Sequence, residues 1–424
     1  MQTTWYYPQA VKRQQNRVAS RFDERRSRSL YAQVKDSPTV VVTGLGLTTA
    51  LAPTALTTWQ KLMAGESAIA LRQPFLDLAP GPRAMGGKRP VDLRALTRRV
   101  VGEAWVDAGW ERGEGEKGEG EKGRIACGVV MGSSRSCLRD LETMAGEQRA
   151  MPGQVGGDWL AALPSEPALV AARRVGCEGP VLAPMAACAT GVWAIAQAAD
   201  LIRTGQCSRV VAGAVESPIT PLTLAGFRKM GALAATGCYP FDRRREGFVL
   251  GEGGAALVLE SAALAERRGA RVYGQILGAG LTNDSHHLSS PDPRYGMAKR
   301  AVAQCLQRSG LSPSEIDAVH VHGTSTALND RMEASLIEQI FGREMPVMAT
   351  KGATGHTLGA SGGVAIALSL LGLQAQQLPP CTGLCQPDFD LNFVRQARTT
   401  ALQHMLCFSF GFGGQNAVLA LGRI

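Results

Sequence analysis

With 424 residues, 45% of them apolar and 19% charged, the chain is long enough to bury a large core and too apolar for a disordered or fibrous protein. Its 50 glycines, about 12% against the usual ~7%, call for many tight turns or close backbone approaches. The net charge of +9 is unevenly placed, +5 of it in residues 1–37, and without basic stripes interleaved with aromatics it argues against a nucleic-acid partner.

Residues 1–37 lack the apolar core and small-residue cleavage site of a secretory leader, and Asp23 and Glu24 weaken an organelle-targeting reading. They read as a flexible or loosely docked basic tail. From Pro38 onward, short β-rich runs alternate with Ala- and Leu-rich helical stretches, the pattern of a layered α/β fold. Strands are expected at 39–44, 125–131, 208–214, 255–259, 271–277, 317–321, 346–349, 405–410 and 417–421. Residues 111–124 are all glycine or charged, with a duplicated pentad, and read as a solvated loop.

Ten cysteines without a CxxC pair indicate reduced thiols in the cytoplasm or an organelle interior. Cys381 and Cys385 are the nearest pair and read as buried or loop thiols rather than a zinc or redox site. The stretch Thr357–Ala375 is uncharged, but only 11 of its 19 residues are apolar and four are glycine, so a core helix fits better than a membrane span.

Residues 179–199 and 352–387 contain no Asp, Glu, Lys or Arg, and each leads into a helix behind a chemically capable side chain. Cys188 lies in Pro184-Met-Ala-Ala-Cys-Ala-Thr-Gly191, at or just before a helix start, where the helix end favours thiolate, the attacking species. Its small neighbours leave room for a substrate. The competing reading is a small buried hydrophobe. His320 and His322 share a strand face, so zinc is weighed and set aside for want of further ligands. Placement at a strand end favours a catalytic or hydrogen-bonding role for His322. His356 is flanked by Gly355 and Gly359 and open to close approach. Lys351 precedes the uncharged block and needs a partner if buried, with Glu333 the candidate. Asp330-Arg-Met-Glu333 also fits a capping-box-like helix start. Glycines in Phe408–Asn416 suit a bulged hairpin, or a backbone N–H turned toward an oxyanion.

In this order the motifs resemble the β-ketoacyl-acyl-carrier-protein synthase family, the condensing enzymes of the thiolase fold. The resemblance spans about 38–424. It rests on Val-Val-Thr-Gly-Leu-Gly, Ala-Ala-Cys188-Ala-Thr-Gly, Pro240-Phe-Asp-Arg-Arg-Arg-Glu-Gly-Phe-Val-Leu-Gly-Glu-Gly254, His322-Gly-Thr-Ser-Thr-x-x-x-Asp330, Lys351-Gly-x-x-Gly-His356-x-x-Gly-Ala and Phe410-Gly-Phe-Gly-Gly-x-Asn416. It implies a five-layered α-β-α-β-α fold of two duplicated halves, 38–263 carrying the nucleophile and 264–424 carrying both histidines.

The resemblance further implies that Cys188 accepts an acyl chain as a thioester, with the Cys188 and Phe412 N–H groups as oxyanion hole. His322 and His356 then stabilise the enolate from malonyl-carrier protein. It gives Lys351, paired with Glu333, an electrostatic role, and Asp330 a supporting one. Thr324 and Thr326 would meet the phosphopantetheine arm, and Phe412, next to Phe410, would gate the half-reactions. No metal or separate cofactor is implied. Partners would be acyl carrier protein and a second subunit, identical or a sister, with no membrane insertion.

Two histidines point to the elongating branch, and the absence of a cysteine from Phe410–Gly414 disfavours thiolases. A non-catalytic partner resembling a chain-length factor is the alternative, disfavoured because Cys188, His322, His356 and Lys351 are all kept. Gly352, Phe408 and Arg135 depart from the family pattern. Arg135 leaves acyl length open, by shortening the pocket or facing a dimer interface.

Overall fold

The computed structural model describes residues 38–110, 127–153 and 158–424; the basic tail 1–37 and the glycine–charge segment 111–124 lie outside the described residues. Ten strands form one mixed sheet: β1 (Val40–Thr49), β2 (Cys127–Gly132), β3 (Val181–Leu182), β4 (Arg209–Glu216), β5 (Gly253–Ser261), β6 (Gly274–Asn283), β7 (Ala318–His320), β8 (Val347–Met348), β9 (His404–Gly411) and β10 (Gln415–Gly422). Their order is β3-β2-β4-β5-β1-β6-β10-β9-β7-β8.

The sheet repeats itself. In the first half β1–β5 and β5–β4 run antiparallel, β4–β2 and β2–β3 parallel. In the second, β6–β10 and β10–β9 run antiparallel, β9–β7 and β7–β8 parallel. Each strand of the first half therefore corresponds to the strand five places on. The halves join where Val40–Val42 of β1 pair antiparallel with Gly274–Ile276 of β6.

Six principal helices follow the same repeat: α1 (Leu93–Asp107), α2 (Glu166–Val175), α3 (Thr190–Arg203), α4 (Gly296–Ser309), α5 (Ala327–Phe341) and α6 (Ser361–Ala375). Strand alternation sends side chains to two layers at once. On β9, Met405 and Cys407 enter the central core with Ala198, Ile202, Ile366 and Leu370 of α3 and α6. Leu406, Phe408 and Phe410 enter the outer core with Val302 of α4 and Leu336 of α5. On β4, Val210 and Ala212 face the central layer, Val211 and Val215 the outer one with Val100 of α1 and Ala171 of α2. Five layers result, α1/α2, half-sheet, α3/α6, half-sheet, α4/α5. Covered on both faces, the strands read as near-continuous apolar runs.

Residues Ser361–Leu370 of α6 are buried without exception, so the charge-free stretch is a core helix. Its start meets α3 at glycine: a Cβ on Gly191 would overlap the Gly363 amide nitrogen, and one on Gly362 would lie 3.0 Å from Val192 N. Close approach there brings the loops ahead of both helices together. Strands extend past their expected ends at Thr49, Glu216, Ser261 and Asn283, whereas β7 and β8 are shorter than expected because the chain bends into site loops.

Candidate active site

Cys188 lies two residues before α3, on a bend whose preceding residue, Ala187, has φ +48°. Thr190 Oγ1 stitches the bend, accepting from Ala186 N at 2.9 Å and donating to Ala187 O at 2.7 Å. The Cys188 carbonyl accepts from Ser409 Oγ at 2.9 Å and Ser361 Oγ at 3.5 Å. The side chain is 7% exposed. Gly411 lets the β9–β10 turn close on this bend, since a Cβ there would lie 3.0 Å from Cys188 N. The next N–H, of Phe412, reaches the sulfur.

His322 follows β7 and is clamped through its backbone. Glu333 Oε1 accepts His322 N–H and Oε2 accepts Gly323 N–H, both at 2.6 Å, while Asn329 Nδ2 donates to Oε2 at 2.7 Å. Lys351 Nζ donates to the His322 carbonyl and lies 3.3 Å from its Nδ1. An ammonium only donates, so Nδ1 must accept and the proton sits on Nε2. His356 is held by its backbone to Val249 O at 2.7 Å and Gly251 N at 3.0 Å, with its ring edge-on to Phe248 at 5.2 Å. The two imidazole centroids are 5.2 Å apart. Cys188 Sγ and one nitrogen of each ring lie within 4.8 Å of one another.

This cluster opens into a cavity of about 360 Å³ lined among others by Thr324, Thr326, Asn329, Phe410 and Phe412. Thr324 and Thr326 hydroxyls are 2.8 Å apart. Phe410 is buried, its ring 6.3 Å from His322, and Phe412 is half-buried 6.2 Å from Phe227. Cys188, His322, His356, Thr324, Thr326, Phe410 and Phe412 thus line one cavity, with Lys351 and Glu333 behind His322.

Three expectations are corrected: the resting state of Cys188, a direct Lys351–Glu333 pair and the helix cap at Asp330-x-x-Glu333. Burial pushes the Cys188 thiol up to about 11 against the pull of the Lys351 charge, Arg135 and the Phe412 N–H, so the resting group is a thiol rather than a thiolate. Burial and Lys351 hold His322 and His356 well below the usual imidazole range, so both are neutral. Glu333 and Lys351 form no direct ion pair among the described residues; they grip the His322 peptide from two sides. Nor is Asp330-x-x-Glu333 a capping box, for α5 begins at Ala327 after Thr326. Asp330 instead accepts Phe241 N–H at 2.8 Å and Ser325 N–H at 3.1 Å. Both residues have positive φ, and the carboxylate stabilises those two strained turns.

A zinc site at His320 is also excluded, since its ring nitrogens are each 3.0 Å from a hydroxyl, of Ser369 and Thr350. Cys188, His322 and His356 are close enough for a soft dication, but the Lys351 ammonium on His322 opposes one. Cys381 is buried and Cys385 exposed, and neither is paired. Sequence reasoning passed over Glu216 and Phe248. Their signal was a lone acid ending the apolar run of β4 and an aromatic inside a glycine-rich segment.

The beta-ketoacyl synthase N-terminal domain model matches residues 92–265, and the C-terminal domain model residues 273–384. The chain is 33% identical over 416 residues to the 3-oxoacyl-[acyl-carrier-protein] synthase 2 of Mycobacterium bovis, covering 92% of this chain and 98% of that protein. The same enzyme of Mycobacterium leprae is also 33% identical, over 92% and 97% of the two chains. A beta-ketoacyl synthase from Burkholderia phymatum superposes with TM-score 0.79 at 28% identity, over 91% of this chain and 100% of that one. A type II polyketide ketosynthase, solved with its acyl-carrier protein and bound to the hexaketide, gives TM-score 0.85 at 24% identity, over 92% and 100%, a likeness of fold. With a cysteine and two imidazoles gathered in the lining of one cavity of a five-layered thiolase fold, this chain belongs to the β-ketoacyl synthase family of acyltransferases.

Proposed function

We propose that this chain elongates acyl chains, condensing an acyl group held on Cys188 with malonyl-acyl carrier protein in fatty acid or related polyketide synthesis. The observation that carries the reading is the approach of one sulfur and two imidazole nitrogens to within 4.8 Å in the lining of the cavity. In the first half-reaction Cys188 Sγ attacks the thioester carbonyl of the acyl-carrier protein. The oxygen develops charge against the N–H groups of Cys188 and Phe412, and the thiol proton leaves on the departing pantetheine sulfur. A thiol pushed to about 11 loses its proton only as that transfer proceeds.

In the second, the malonyl thioester oxygen accepts Nε2–H from His322 and an N–H from His356. The malonyl group loses carbon dioxide, and its α-carbon bonds to the acyl carbon as the Cys188 sulfur departs and is reprotonated. Neutral imidazoles suit this task, because donors that need no reorganisation stabilise the enolate most. Lys351 fixes the His322 tautomer, Glu333 its backbone, and Asp330 the loop beside it. Thr324, Thr326 and Phe412 line the cavity, which supports contact of the two threonines with the phosphopantetheine arm and a gating role for Phe412 between the half-reactions. The carrier's arm brings the substrates, so no further cofactor enters.

The chain divides on this reading at 263/264, nucleophile before and imidazoles after. A dimer, of identical or sister subunits, is supported by the outer edge strand β3, where Val181 and Leu182 are each 38% exposed. The helix Leu138–Ala150, which packs against Trp159–Ala162, buries no residue, and Trp159, Leu160 and Met185 are exposed. Ten unpaired cysteines support a reducing, cytoplasmic or organelle-interior setting. Incubation with acyl-carrier proteins of graded chain length, followed by peptide mass mapping, should find the acyl mass on Cys188; persistent elongation by Cys188→Ala would refute the reading.

A further inference from the structure

Two charged side chains near Cys188 have no part in the scheme above. Glu216 ends β4 and is fully buried. Its Oε1 accepts the Ser134 N–H and, at 3.3 Å, the Arg135 N–H, and it lies against Gly359, where a Cβ would strike it. Its Oε2 is buried without a hydrogen-bond partner. Such an oxygen is costly to ionise, and burial pushes the carboxyl up to about 6.

Arg135 rides on the turn that Glu216 pins. Ser133 Oγ accepts Ser136 N–H at 2.8 Å, and Ser134 Oγ accepts Gly359 N–H at 3.3 Å, tying this turn to the loop that follows His356. The guanidinium carbon lies 5.1 Å from the centre of the Phe227 ring. Phe227 shares a cluster with Cys188, Leu358 and Phe412. Among the described residues Arg135 enters no ion pair.

We propose that Glu216 is a positioning residue for acylation: it fixes the turn that carries Arg135, and the two opposite charges set how readily Cys188 gives up its proton. Glu216 abuts Gly359, next to Leu358 of the Cys188 cluster, and Arg135 stacks on Phe227 of the same cluster, so one negative and one positive group stand behind the sulfur, the first opposing a thiolate and the second favouring it. The other charged or titratable groups around the sulfur are Lys351, His322 and His356; Ser134 and Arg135 face Glu216. A Gln at 216 keeps an acceptor for the two N–H groups and removes the charge.

The consequence for catalysis rests on the condensing reading, but the test does not need a carrier protein. The rate of Cys188 alkylation by iodoacetamide is followed by peptide mapping from neutral to alkaline pH in the full chain, in Glu216→Gln and in Arg135→Leu. Glu216→Gln should shift the profile to lower pH and speed alkylation at neutral pH about 3- to 10-fold, one pH unit being tenfold. Arg135→Leu should shift it the other way by a smaller factor, about 2- to 5-fold, because solvent screens its exposed side chain. Profiles that coincide with the parent within about twofold overturn the proposal. If Glu216→Gln does not fold, Arg135→Leu decides alone, because Arg135 is exposed. A shifted profile in a protein that never takes up an acyl group would overturn the condensing reading and leave this one standing.

Discussion

The two halves of the sheet share one wiring diagram and carry different chemistry at corresponding places. Between β3 and α3 the first half presents Cys188; between β8 and α6 the second presents His356. From β4 to β5 the chain takes a long excursion, residues 217–252, that supplies Phe248, whereas β9 turns into β10 across Phe412–Gly414. Strands and core helices must satisfy packing on both faces, which leaves little room for divergence. Connections at the strand ends answer to fewer neighbours, and the reacting groups sit there.

The sharpest way to break that comparison is to exchange roles at the corresponding loops. Cys188→Ala should lower elongation by about 10³-fold or more, since nothing else nearby can hold the acyl group. A mass map showing acylation elsewhere would break the asymmetry. His356→Ala should slow condensation by roughly 10²–10³-fold, the usual effect of losing one charge-stabilising donor. Acylation of Cys188, read separately by mass, should persist.

The contact between α3 and α6 gives an intermediate effect. Gly191→Ala forces a methyl onto the Gly363 backbone and should cost about 1–3 kcal/mol in thermal unfolding. Gly363→Ala, whose Cβ would meet nothing nearer than 3.6 Å, should be neutral or slightly stabilising, by up to ~1 kcal/mol. Equal losses would show that the close approach is not what sets the helix crossing.

The smallest effect concerns Glu252, in the loop of the first half that has no counterpart in the second. Burial pushes its carboxyl up to about 7 despite the Val91 N–H at 3.0 Å. The folded chain therefore holds a proton that the unfolded chain releases near pH 4.5, and stability falls as pH rises from about 4.5 to 7. Glu252→Gln should be more stable than the parent by about 1–2 kcal/mol in mildly alkaline buffer, and the gain should fade below pH 4.5. A gain independent of pH would contradict the assignment.

Much of this was legible in the residues. Apolar β runs separated by helical stretches announced layered α/β, and the order of Cys188, His322, Lys351, His356 and the Phe410–Asn416 turn announced the site. What was not legible lay in partners remote in sequence. Asp330 and Glu333 were read as a local helix cap because their spacing fits one; only the folded chain shows their carboxylates bent back to Phe241, Ser325, His322 and Gly323. The shared strand face of His320 and His322 left a zinc pair to be weighed and set aside, and only the fold shows that Ser369 and Thr350 take both nitrogens of His320.

The sequence by itself determined which groups could react, because side-chain chemistry and local glycine content travel with the residue. Tertiary structure alone decided their state. Whether Cys188 rests as thiol or thiolate depends on how much water is removed and which charges lie within a few ångströms, and both are set by contacts such as Cys188 with Ser409, 221 residues apart.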